Sequence, residues 1–201
     1  MSVDYKYFVI GLIIIYILIY LHWLSKYEKY TINGIKYKVL NEYEDKEKAA
    51  KILDYLNSSN IKLMAHLKKK YKNTDMMESI EFLLKNYNPD VIFEHLPKGI
   101  DNTSYVVDKG TSIVYCLREK ESGKNKIHDL HTLMFVNLHE LSHIYNKGWG
   151  HKRDFWSSFK FILTEAQEIG IHSPINYSAE PMVYCGLPVK YNPYYDKSLA
   201  T

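Results

Sequence analysis

The chain has 201 residues, a formal net charge of +3, nine histidines and two cysteines. That length suits one folded domain with a core of its own. Its near-neutral balance gives no basic field of the kind that marks a nucleic-acid binder, so nucleic acid is not an expected partner. Two cysteines, Cys116 and Cys185, are too few for a disulfide-rich secreted scaffold and form no CxxC metal pair. They read as thiols of a reducing compartment, with a single bridge left open.

In chain order, residues 7–24 contain no Asp, Glu, Lys or Arg. Eighteen helical residues span about 27 Å, close to the roughly 30 Å of a bilayer's hydrocarbon core. Tyr5, Tyr7, Tyr20 and Trp23 stand near the ends, as interfacial aromatics do. Few basic residues precede the run and no small-x-small site follows it, so residues 1–27 read as an uncleaved membrane anchor rather than a signal peptide. Lys26, Lys29, Lys36 and Lys38 follow it against Glu28, whereas Lys6, Asp4 and the amino terminus precede it. The positive-inside rule then places the rest of the chain on the cytoplasmic side.

Residues 28–201 read as one domain, with its motif-bearing core at 103–172. Residues 25–30 form a polar link, and residues 30–40 a hairpin turning at Asn33-Gly34. Two helices are expected at 44–57 and 60–72, separated by Ser58-Ser59-Asn60, and a third at 75–86. The region 42–86 is a candidate lid. Lys68-Lys69-Lys70-Tyr71-Lys72 reads as a solvated helix end, or else as a contact for anionic lipid or nucleic acid. From Pro89 to Pro97 the chain reads as extended or irregular. Strands follow at 104–107 and 111–118, joined by Asp108-Lys109-Gly110, and then a polar turn at 120–126. The last thirty residues hold four of the six prolines and read as a tail wrapped over the domain.

Next comes His139-Glu140-Leu141-Ser142-His143. Apolar residues recur at helical spacing before and through it (Leu130, Leu133, Met134, Val136, Leu138, Leu141), with Asp129 or Asn125 as the expected cap. Gly148 and Gly150 end the helix. Four residues advance a helix by about one turn, so His139 and His143 share a face and can grip one metal ion. Glu140 beside them is placed to act as general base. A catalytic zinc takes three protein ligands and keeps one open position. His151, beyond the glycine turn, is the expected third ligand; Glu165 and Glu168, on a second helix at 152–169 that stops at Gly170, are the competing ones. The strand residues Ile113, Val114 and Tyr115 are the expected substrate edge. Tyr184 is a candidate oxyanion donor, and Met182 a candidate to pack beneath the metal.

The segment from HELSH through GWGHKRDFWSSFKFILTEAQEIGI resembles the WLM/SprT-like zinc metallopeptidases, in which HExxH is followed by a short loop, a third His and an aromatic pair such as Phe155-Trp156. Tyr184-Cys185-Gly186 with Asn192-Pro193 is similar to the WLM-domain proteins of large eukaryotic DNA viruses. Seven residues separate His143 from His151, two more than in HExxHxxGxxH enzymes. The resemblance implies an α+β, zincin-like domain with a small antiparallel or mixed sheet beside the metal helix. It implies one Zn2+ per chain, zinc metalloendopeptidase activity and a protein or peptide substrate. The alternative is a weakly active or inactive structural or interaction protein of a virion or host membrane.

Overall fold

A computed structural model describes residues 2–95, 103–119 and 126–200. Pro97, Asn125 and the expected turn up to residue 125 lie outside the described residues. Helix α1 (Ser2–Ser25) is the apolar N-terminal segment. Only Lys26 separates it from the hairpin of β1 (Tyr27–Ile32) and β2 (Ile35–Leu40). Most of the expected polar link is therefore strand. Its side chains alternate between half-buried and exposed, as on a sheet edge, and that alternation reads as polar in sequence. Asn33 and Gly34 turn the hairpin with φ of 52° and 82°, the two left-handed residues of a type I′ turn.

Helix α2 (Lys46–Lys70) runs through Ser58-Ser59-Asn60 without a break. Serine and asparagine weaken helices because they offer the backbone local alternatives. Here Asn60 is buried and exchanges two amide hydrogen bonds with Asn137, at 2.9 and 2.7 Å. The tertiary partner thus overrides the local preference. Helix α3 (Met77–Asn86) follows, and then β3 (Ile92–Glu94), a short strand inside the stretch expected to be extended or irregular. With β4 (Tyr105–Val107) and β5 (Ser112–Tyr115) it completes a mixed sheet of order β1-β2-β3-β5-β4. The three central strands are parallel, and β1 and β4 are the antiparallel edges. Buried Glu94 joins the elements: it accepts from the Leu40 amide at 2.9 Å and from Arg118 Nε at 2.7 Å.

Helices α4 (Leu130–Tyr145) and α5 (Arg153–Glu168) pack on each other, and α2 packs on the sheet and on α4. The expected tail packs over the domain, held to α5 by Arg153 and Lys160, and it also contains a second hairpin, β6 (Met182–Tyr184) and β7 (Leu187–Val189). Among the described residues the protein is thus an α+β fold with a mixed sheet and five α-helices, the first of them the apolar N-terminal one. Cys116 and Cys185, read as thiols, are joined in a disulfide that ties the end of β5 to the β6–β7 turn. Sequence spacing hid the pairing because 69 positions separate the two.

Candidate metal centre

Helix α4 begins at Asp129, whose carboxylate accepts from the Thr132 amide at 2.9 Å. Its apolar stripe, including Leu133, Leu138, Leu141 and Ile144, is buried. That burial turns His139 and His143 to the opposite side, with their Nε2 atoms 3.2 Å apart. After α4 the chain reverses through Gly150, at φ 72°. The reversal returns His151 to the pair, its Nε2 3.0 Å from that of His139 and 3.1 Å from that of His143. A tetrahedral zinc with Zn–N bonds of about 2.0–2.1 Å holds its nitrogens about 3.3–3.4 Å apart, so the triangle fits that ion to within a few tenths of an ångström.

All three imidazoles are held below the usual histidine range, the neutral form a metal needs. Burial is the largest cause for each, and for His143 it pushes the value to about 4. Phe155 stacks on His143 at 4.2 Å, and Phe159 meets His139 edge-on at 5.1 Å. This aromatic floor fixes the ring orientations and keeps water from beneath the ligands.

Glu165 and Glu168 are elsewhere. Lys70 lies 2.9 Å from Glu165 and 2.5 Å from Glu168, while His66 and Tyr71 also bind Glu165. An ammonium already occupies the centre of that acidic group, so it is an ion-pair cluster. Glu140 is 4% exposed, and its Oε2 has no hydrogen-bond partner. Burial lifts its carboxyl to about 8.

A cleft of about 270 Å3 exposes His139, Glu140, His143 and His151 opposite Ser104, Tyr105 and Val106. The strand beside the metal residues is thus β4, the sheet edge. This corrects the reading of Ile113, Val114 and Tyr115: β5 lies between β3 and β4, and all three residues are buried. The Tyr115 hydroxyl points inward and donates to Asn137 Oδ1 at 2.6 Å. A longer and more apolar strand stood out in sequence, but that character belongs to the interior position.

Tyr184 lies close by, yet its O–H donates to the Cys116 carbonyl at 2.8 Å and its oxygen meets Ser104 at 2.5 Å. Its one proton is committed, so it positions β6 against the sheet rather than serving as an oxyanion donor. Met182 contacts Thr132, two turns of α4 before the first metal histidine, and does not underlie the ligands.

In sequence the chain is similar to viral proteins. An uncharacterized protein of Acanthamoeba polyphaga mimivirus, R325, is 33% identical over 166 residues, 82% of each chain. The chain belongs to that protein's family. Uncharacterized proteins of two invertebrate iridescent viruses are also similar: 136R of virus 6 at 33% identity over 34% of this chain and 38% of its own, and 042R of virus 3 at 35% over 48% and 57%. No family model matches the chain. Among solved structures, Wss1 from Saccharomyces cerevisiae aligns with a TM-score of 0.46 and 19% identity, covering 65% of this chain and 86% of its own.

One residue of the site had no sequence signal. Lys109 sits in the β4–β5 turn at φ 59°, between Asp108 at 41° and Gly110 at 127°. A Cβ on Gly110 would lie 2.2 Å from the Asn86 carbonyl oxygen, so the turn demands glycine. Lys109 Nζ donates to the carbonyls of His143 (2.8 Å), Asn146 (2.6 Å) and Gly148, and lies 5.0 Å from the Trp149 ring centroid. Its three protons satisfy carbonyls at the negative end of α4 and pin the loop that delivers His151. A lysine in a turn otherwise reads as solvated. If the three imidazoles hold zinc, Lys109→Met is expected to weaken its binding about 10- to 100-fold, the usual scale for a group that orients ligands. Chelator competition measures this, and unchanged affinity would remove Lys109 from the site.

Proposed function

We propose that the chain is a membrane-anchored zinc metalloendopeptidase of the HExxH type. The observation that carries the reading is the convergence of His139, His143 and His151 Nε2 within 3.0–3.2 Å beside the buried Glu140 carboxyl, whose Oε2 has no partner. Zinc held there would acidify a bound water and polarise a peptide carbonyl. The three histidines hold the ion through neutral nitrogens. Glu140 accepts the water proton at its carboxylate and returns it to the departing amine. Strand β4, a sheet edge among the described residues, presents backbone groups that align an extended peptide across the cleft.

The alternative, a structural or interaction protein, leaves Glu140 unexplained. A buried carboxyl with an unpartnered oxygen costs stability, and a purely structural zinc site has no use for it. A chelator is expected to abolish peptide hydrolysis and added zinc to restore it. Hydrolysis indifferent to both would defeat the proposal.

Anchoring rests on Tyr5–His22, which has mean hydropathy 1.8 and apolar side chains exposed all round. Two features bear on the side of the membrane. The lysine-rich flank favours the cytoplasm, whereas the Cys116–Cys185 disulfide favours an oxidising compartment or a virion surface. The disulfide carries more weight, because the lysine bias amounts to a few residues. Alkylation of the freshly extracted chain is expected to modify neither cysteine until a reductant is added. Two reactive thiols before reduction would restore the cytoplasmic placement.

A further inference from the structure

A second cavity, about 370 Å3, shares Thr103, His139, Glu140 and His151 with the metal cleft. Its walls differ in chemistry from the cleft. Helix α4 contributes Phe135 and Val136, helix α5 Trp156 and Phe159, and strand β7 Leu187 and Val189. Apart from the metal-site residues, the charged side chain lining it among the described residues is Lys190. At the rim Tyr191 meets Trp156 edge-on at 5.1 Å.

The β7 wall is firmly held. The Cys116–Cys185 bond and the Tyr184 hydrogen bond to the Cys116 carbonyl tie the β6–β7 hairpin to the end of β5. The wall is therefore preformed, and an occupant does not have to order it. The chain's own C-terminal residues do not provide that occupant. They are fastened to α5, where Arg153 binds the Ser198 carbonyl and Lys160 those of Asp196 and Leu199.

We infer that this cavity is the specificity pocket of the site. It takes a bulky apolar side chain, aromatic or branched aliphatic, from the peptide residue beside the cleaved bond. The inference rests on the zinc-peptidase reading, because the cavity gains its meaning from opening onto His139 and Glu140. A peptide aligned on β4 crosses the metal residues at the mouth of the cavity, which places one side chain over an apolar, aromatic-walled space.

The test requires binding and no turnover. The full chain, zinc-loaded in detergent, is titrated with amino-acid hydroxamates, which ligate zinc and differ only in side chain. The leucine and phenylalanine compounds are expected to bind roughly 10- to 100-fold tighter than glycine hydroxamate, the yield of burying one large apolar side chain. Val189→Trp, which fills the cavity from β7, is expected to bring that ratio close to one, with zinc content and glycine hydroxamate affinity held. Should Val189→Trp lose its zinc through misfolding, Leu187→Ala serves instead and is expected to lower the ratio several-fold. Equal affinity for the three compounds in a zinc-loaded wild type overturns the pocket while leaving the metal site standing. Preference for an aspartate hydroxamate also overturns it, pointing to Lys190 as an anion contact. A wild type that binds no zinc overturns both readings.

Discussion

Glu140→Gln is expected to retain its zinc and to lose about 10²–10⁴-fold of its peptide hydrolysis, the scale of a positioned acid–base group. The substitution keeps the size of the side chain and its place on α4, so the three histidines still converge. What disappears is the ability of a buried, partnerless oxygen to accept a proton. Because a neutral amide suits that apolar surrounding at least as well, folding stability is expected to hold or rise. Retained zinc separates a chemical role from a structural one, which makes the pair of readouts informative. Full activity in Glu140→Gln would assign the proton transfer to another group.

His151→Ala is expected to weaken zinc binding on the order of 10²–10³-fold. Apparent binding energies of roughly 10–16 kcal/mol for four-ligand zinc sites give about 2.5–4 kcal/mol for each ligand. The loss should leave folding largely intact, since His151 lies on an exposed turn and forms no part of the buried core. Glu165→Ala is expected to leave zinc affinity unchanged, because Lys70, Tyr71 and His66 already occupy that carboxylate. The opposite ranking, with Glu165 needed and His151 dispensable, would require α5 to turn over relative to α4.

Much of the geometry of this candidate site was legible in the sequence. His139 and His143 are local: four residues of helix fix their geometry, and the apolar stripe of α4 fixes which way they face. His151 was legible because Gly148 and Gly150 signal a reversal that leads nowhere else useful. The rest depends on contacts distant in sequence. Neither the continuity of α2 through Ser59 and Asn60 nor the interior position of β5 is written locally. The first depends on Asn137 and the second on β3, a strand of three residues between β2 and β5. Lys109 and the Cys116–Cys185 pair belong to the same class. Each side chain is unremarkable in its own segment and acquires a role only when the hairpin, the loop or the tail folds against it.

The zinc content of the wild-type full chain, purified in detergent and measured beside His143→Ala and His151→Ala, tests the central claim most directly. The account predicts about one zinc per wild-type chain and loss from both variants. A folded wild-type chain that holds no zinc would contradict it, and the interaction-protein reading would take the lead.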